Sequence, residues 1–265
     1  YAGGEHGVWV SYDDGNSWSS ISLNMPDTQI SDLIVTDKDI VVGTHGRSIY
    51  ILDDISPIRE MSKVDSNKPH LYNAYYAVRR VQNAEIKYYL PDDANSLNIK
   101  IIDEKGSVVL TQDGFIKNDS LGDTDDIRKG YLSWYGSDNE KPSMEKGLNS
   151  YTWNLRYPGA TEFEGMIIWS ARSQVGPIAP PGKYKIELNI NNEKFETYMD
   201  LIKDPRIDVS DEDIDVQFNF AMQIRNETDL ANRSVIEIRK IKEQLNGLIS
   251  DKSSGKINKI KALIS

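Results

Sequence analysis

The run Ser11-Tyr12-Asp13-Asp14-Gly15-Asn16-Ser17-Trp18 constrains this chain more than any other stretch. It follows an alternating segment, Gly7-Val8-Trp9-Val10, and leads into another, Trp18-Ser19-Ser20-Ile21. Asp, Asp, Gly and Asn in succession between such segments predict a tight hairpin turn. The Asp13 carboxylate can accept hydrogen bonds from N–H groups of the turn, and Gly15 can take a positive φ that other residues resist. Trp18 then has an apolar ring to lay back over the bend.

A repeat surrounds this turn. Gly4-Glu5-His6-Gly7 before Val8-Trp9-Val10 is echoed by Gly43-Thr44-His45-Gly46 before Ile49-Tyr50-Ile51, an offset of about 39 residues, close to the ~40–50 of a propeller blade. Ile30 to Val35 and Asp39 to Val42 predict two strands between the copies. Residues 57–69, with Pro57, Ser62, Asp65, Ser66, Asn67 and Pro69, read as a linker.

A second β region follows. Ile86, Tyr88 and Leu90 alternate with polar partners, as do Leu97, Ile99 and Ile101, and Asp103 to Gly106 turns the latter into Val108 to Leu110. Tyr151, Trp153 and Leu155 share one face. Tyr184, Ile186, Leu188 and Ile190 alternate most cleanly, and Asn191-Asn192 turns them into Phe195 to Leu201. Such spacing predicts a two-sheet sandwich. Two long segments interrupt it, 113–147 and 157–182. Beyond Asp204-Pro205-Arg206, Ser210 stands three residues before Asp213, a capping arrangement for a helix from ~211 to 250. Its expected stripe is Ile214, Phe218, Ala221, Ile224, Ala231, Val235, Ile238, Ile241, Leu245 and Leu248, with Thr228 and Asn232 as weak points. Ile257, Ile260 and Leu263 predict a returning partner helix.

The fold class is therefore mainly β with an α-helical C-terminus: partial propeller blades, an Ig-like sandwich and a long helix starting a hairpin. The expected units are 1–60, 70–205 and 209–265. Net charge is −10 with no block of Lys or Arg, which disfavours a nucleic-acid surface. No apolar run approaches the ~18 residues of a membrane span. Cysteine is absent, so disulfides and thiol chemistry are excluded. The chain opens at Tyr1 and stops within a helical pattern, the expectation for an internal piece of a longer protein.

The spacing Ser-x-Asp-x-Gly-x-x-Trp at Ser11, Asp13, Gly15 and Trp18 resembles the Asp-box of the bacterial neuraminidase (BNR) repeat family. Further resemblance to large BNR-repeat proteins, labelled glycosyl hydrolase or sortilin-like, lies in Gly43 to Asp54 and Pro57-Ile58-Arg59-Glu60. It continues through Trp153 to Gly159, Pro180 to Tyr184, and Asp204-Pro205-Arg206 before a long helix. The resemblance implies a secreted or cell-envelope protein, periplasmic or extracellular. It also implies a large N-terminal propeller, a sandwich and a helical hairpin, with the Asp-box serving as a structural device away from any catalytic centre.

The residues that could carry chemistry do not converge on a reaction. His6 and His45 occupy equivalent turns, which diverge between neighbouring blades, and His70 has no partner at metal spacing, so no metal or cofactor is expected. Asp13-Asp14 and Asp53-Asp54 are adjacent pairs, whereas glycosidase acids face one another ~5–9 Å apart from separate strands. Tyr131, Trp134, Tyr135 and Trp169 could form a sugar-stacking platform or fill a small core. Arg239 with Glu243 reads as a solvated i,i+4 pair. The first reading is a non-catalytic structural or interaction region whose main partner is the remainder of its own propeller. Alternatives are part of a glycoside hydrolase with its acids in other blades, and a carbohydrate- or protein-binding module.

Overall fold

The computed structural model describes residues 1–116, 141–166 and 175–250. The architecture is mainly β with one long C-terminal helix. The first strands are β1 (Ala2–Gly4), β2 (Gly7–Val10) and β3 (Ser19–Ser20), an antiparallel sheet in that order. A second antiparallel meander joins β4 (Ile30–Val35), β5 (Ile40–Thr44) and β6 (Ile49–Leu52). The two halves of the repeat thus become the β1–β2 and β5–β6 hairpins. Val8, Ile40, Val42 and Ile55 form one small core, with Ile21, Met25, Ile30, Leu33, Tyr50 and Leu52 around it.

Residues 56–63 differ from the expected linker. Asp54 Oδ1 accepts the Ser56 N–H (3.1 Å) and the Ser56 hydroxyl (2.6 Å). Pro57 sits in the first turn, where its missing N–H costs nothing. A short helix (Ser56–Glu60) and a 3-10 turn (Met61–Lys63) result. Glu60 then accepts the Asn73 N–H (3.1 Å) and Nδ2 (2.9 Å), with His70 Nε2 at 3.2 Å. Asp54 also meets Lys87 Nζ at 2.7 Å, and Tyr75 Oη donates to the Asp37 carbonyl at 2.7 Å. The segment is therefore a fixed joint between the first strands and the second β region.

That second region has two main sheets over one core. A five-stranded sheet runs β11-β10-β15-β16-β8, using β8 (Ala77–Val78), β10 (Leu97–Ile102), β11 (Val108–Asp113), β15 (Gly182–Ile190) and β16 (Glu193–Ile202). A three-stranded sheet runs β12-β9-β7, from β7 (His70–Leu71), β9 (Ala84–Leu90) and β12 (Gly147–Trp153). A pair of β13 (Arg156–Pro158) and β14 (Val175–Ile178) flanks them. The alternating residues read from the sequence all point inward: Ile86, Tyr88, Leu90, Leu97, Ile99, Ile101, Tyr151, Trp153, Tyr184, Ile186, Leu188 and Ile190 belong to the core. Trp153 is its largest enclosed side chain, with Nε1 donating to the Arg156 carbonyl at 3.1 Å and its ring 5.3 Å from that of Tyr184. Truncating such a residue to Ala typically costs ~3–5 kcal/mol. Asn191 and Asn192 both take positive φ (46° and 76°), so the β15–β16 connection is a two-residue hairpin of the primed kind. On the outer face Glu187 lies opposite Glu196, and Lys185 and Lys194 bridge the two like charges.

The helix (Asp211–Ser250) starts as expected, with the Asp213 N–H donating to Ser210 Oγ (3.0 Å) and the Ser210 hydroxyl donating to Asp213 Oδ2 (2.7 Å). Its docking face follows the expected stripe over the first turns and departs from it beyond them. Ile214 is buried and the Phe218 ring packs at a tilt 4.9 Å from that of Tyr157. From there on the contacts are polar. Arg225 donates to the Pro158 and Gly159 carbonyls, Asp229 Oδ1 accepts the Thr161 N–H (2.7 Å), and Asn232 Nδ2 donates to the Thr161 carbonyl (2.7 Å). Arg239 donates to the Glu164 carbonyl and lies 4.8 Å over the Phe163 ring, a role other than the expected surface pair with Glu243. Ile224, Ile238 and Ile241 of the expected stripe are exposed, whereas Asn232, expected as a weak point, is buried. The reason is that residues 158–164 present bare carbonyl and N–H groups, which polar side chains satisfy and isoleucines cannot. The predicted partner helix lies outside the described residues. Among the described residues no helix is long and apolar enough to cross a membrane.

Candidate functional site

The Ser11–Trp18 segment joins the antiparallel strands β2 and β3 as a loop built around the expected tight turn, in which the Asn16 N–H donates to the Asp13 carbonyl at 3.2 Å. Its internal bonds explain the residue types. Ser11 Oγ accepts the Gly15 N–H at 2.8 Å and donates to Asp13 Oδ1 at 2.9 Å. Asp13 Oδ1 also accepts the Ser17 N–H (2.8 Å), while Oδ2 accepts the Ser17 hydroxyl (2.6 Å). These bonds, led by those from Ser17, hold the Asp13 carboxyl below its ordinary pKa, so it stays an acceptor at neutral pH. Asp14 and Gly15 take positive φ (54° and 88°), which Gly15 adopts at no steric cost. Trp18 Nε1 donates to the Gly15 carbonyl (3.1 Å), and its ring lies against Gly15 while 46% of the residue stays exposed. Ser11, Asp13, Gly15 and Trp18 are therefore brought together by bonds among themselves. Ser17, whose backbone and hydroxyl both feed Asp13, was not singled out from the sequence, although its place four residues after Asp13 was the signal.

The remaining candidates separate. His6 Nδ1 lies 3.0 Å from Asp27 on the surface, and the His45 N–H donates to the Gln29 carbonyl. His70 pairs with Glu60 and meets the Tyr72 ring edge-on at 4.8 Å. Among the described residues no group of three or more His, Asp or Glu is placed to hold a metal ion. Asp54 is engaged by Ser56 and Lys87, while its neighbour Asp53 is exposed. Tyr131, Trp134, Tyr135 and Trp169 lie outside the described residues.

One surface was missed. In the β4–β5–β6 sheet, Ile34, Val41 and Ile51 form one cross-strand row, and Ile49 stands on the same face beside Gly43 and Asp32. Alternate rows carry Ile40 and Val42 into the core, so these side chains point the other way. Ile34, Ile49 and Ile51 are 55%, 68% and 59% exposed. The sheet is apolar on both faces and covered on one. The unbroken apolar runs Ile40-Val41-Val42 and Ile49-Tyr50-Ile51-Leu52 were the sequence signal, because strands covered on both faces lose their alternation.

No family model matches the chain, and no curated protein matches it. Among solved structures it is similar to PorZ, described as an essential bacterial surface component of the type-IX secretion system of Porphyromonas gingivalis. The TM-score is 0.24 and the identity 10%, over 74% of this chain and 25% of that one. The chain thus spans about a quarter of the length of that structure.

Proposed function

We propose that this chain is a non-catalytic structural and interaction region of a BNR-type propeller protein, with its first sixty or so residues forming terminal blade strands. The observation that supports this most is the open apolar row Ile34–Val41–Ile51 with Ile49 beside it. Burying one such side chain is worth ~1.5–3 kcal/mol. Three of them on one sheet face are what a blade offers to its neighbour in a propeller ring. The occupant proposed is a further strand set of the same protein, and the Asp-box loop at the blade's rim serves to hold a bend. The sandwich, joined through Asp54–Lys87 and Glu60, braces that rim, and the helix is strapped to the sandwich. Units of 1–60, 70–205 and 209–265 belong to this proposal, as does a setting in the envelope or outside the cell, which rests on the Asp-box resemblance.

The chemistry agrees with this reading. Asp13 and Asp54, the acids with the most partners in the two pairs, are engaged by Ser11, Ser17, Ser56 and Lys87. The test is a panel of polysaccharides and aryl glycosides incubated with the chain. No release of reducing ends or aglycone is expected. Hydrolysis that disappears on replacing a single Asp or Glu would overturn the proposal and favour a glycoside hydrolase.

A further inference from the structure

We propose that the cavity between the Arg79–Arg80 turn, the end of β16 and the first turns of the C-terminal helix binds the phosphate group of a small ligand. The cavity is about 290 Å³ and is lined by Arg79, Arg80, Lys203, Asp204, Asp213 and the apolar side chains of Ile207, Val209 and Ile214. That volume is near the lower end of the ~300–1,000 Å³ usual for small-molecule sites. The site is separate from the sheet face above, and either can stand without the other.

Arg79 carries the argument. It is 6% exposed, and guanidinium groups are rarely enclosed without an anion beside them. Its Nε donates to the Ala179 carbonyl at 2.9 Å. No carboxylate lies within ion-pair distance of it among the described residues. Tyr151 Oη is the one fully enclosed side-chain polar atom without a partner among the described residues. The Arg79 terminal nitrogens, which have no hydrogen-bond partner there, therefore reach accessible space, and Arg79 lines this cavity.

Its neighbours reinforce the excess of positive charge. Arg80 is exposed, also lines the cavity, and is held at φ 65° by the turn in which the Val81 and Gln82 N–H groups both return to the Val78 carbonyl. Arg156, which donates to the Gly176 carbonyl, stands near enough that its charge and that of Arg80 repel the Arg79 cation. Burial and this repulsion together push the Arg79 pKa down, as burial and Arg80 do for Arg156. Lys203 adds a further cation, held by the Val209 carbonyl at 2.6 Å with Asp211 at 3.8 Å.

The acids on the wall have partners of their own. Asp204 is gripped by the Arg206 fork (2.8 and 2.7 Å) and by the Arg206 N–H, which lowers its pKa to about 2. Asp213 accepts the Ser210 hydroxyl. Asp211, Glu212 and Asp213 offset the positive end of the helix dipole, so the arginines rather than the helix supply the attraction. A planar guanidinium with free donors matches the paired oxygens of a phosphate, and the doubly charged form suits several cations better than a single carboxylate does.

The experiment titrates inorganic phosphate into the full chain at fixed ionic strength, following amide and Arg Nε–H resonances by NMR. Acetate and chloride are the comparison anions. Saturable shifts at Arg79, Arg80, Lys203 and Asp211–Ile214 are expected with phosphate, and weak, non-saturating ones with acetate. Arg80→Gln, an exposed position whose loss leaves the fold intact, should weaken phosphate binding about tenfold, the scale of one charge-assisted hydrogen bond. Lys68→Gln, a remote surface position, should leave it unchanged. Absence of saturation with phosphate, equal binding of acetate, or an Arg80→Gln chain that binds as the parent does would each overturn the proposal. Arg79→Gln serves as a second variant, its folding checked first by the dispersion of its spectrum.

Discussion

Asn232→Ala tests which face of the C-terminal helix docks. Asn232 is 7% exposed, and its amide donates to the Thr161 carbonyl at 2.7 Å. Alanine leaves that carbonyl unpaired and opens a small void. Losing one such bond with its acceptor half-enclosed costs ~1–2 kcal/mol. The assay is amide hydrogen exchange at Thr161, whose N–H donates to Asp229 Oδ1 and so reports docking directly. A loss of that size accelerates exchange by about 5–30-fold. If the helix unfolds together with the sandwich, the melting temperature falls by ~2–4 °C per kcal/mol. Ile238→Ala is the control: that residue is 64% exposed and should leave Thr161 protection within about twofold of the parent. The reasoning is refuted if Ile238→Ala loosens Thr161 while Asn232→Ala does not, because the helix would then dock through its isoleucines.

Three further outcomes follow from the geometry. Asp13→Ala should speed exchange of the Ser17 amide and broaden the Trp18 indole signal with little change in the melting point; a large global loss would show that the loop supports the core. In NMR titration the Asp204 carboxyl should inflect near its lowered value of about 2, and Arg206→Ala, which removes the fork but keeps the backbone N–H bond at that position, should raise it part of the way toward the ordinary ~3.9; an unmoved inflection would remove the fork as the cause. Glu187 is held below its usual pKa by hydrogen bonds from Lys185 and Lys194. Its contribution is full above the unfolded value near ~4.5 and fades as pH falls through the lower folded value. Glu187→Gln should therefore flatten the acid limb of the stability curve, and an unchanged limb would count against the network.

The sandwich was legible because one face of each strand meets one core, which stamps a period of two on Ile86-Tyr88-Leu90 and Tyr184-Ile186-Leu188-Ile190. The Ser11–Trp18 loop was legible because its partners are local, all within that segment. The helix start was readable for the same reason, with Ser210 and Asp213 in one turn. Beyond Ile214 and Phe218 the docking face was not, since Arg225, Asp229 and Asn232 are chosen by the carbonyl and N–H groups of a distant segment and carry no hydrophobic period. Nor was the joint at 56–63, where Pro57 reads as a breaker until Asp54 is seen accepting the Ser56 N–H and hydroxyl at the start of the helix that contains it. β7 and β8 are two residues each, too short for alternation to show, and β8 pairs in parallel with β16 across more than a hundred residues. The enclosure of Arg79 follows from that same pairing and leaves no local mark.

The blade-face proposal is tested most directly by thiol labelling, which is clean because the chain has no cysteine of its own. Ile51→Cys in this chain should react with a maleimide at the rate of an exposed thiol. The same substitution in a protein extended by the proposed neighbouring strands should react at least about tenfold more slowly, the signature of a face covered by ~1.4 kcal/mol or more of packing. Equal rates in the two proteins would contradict the account.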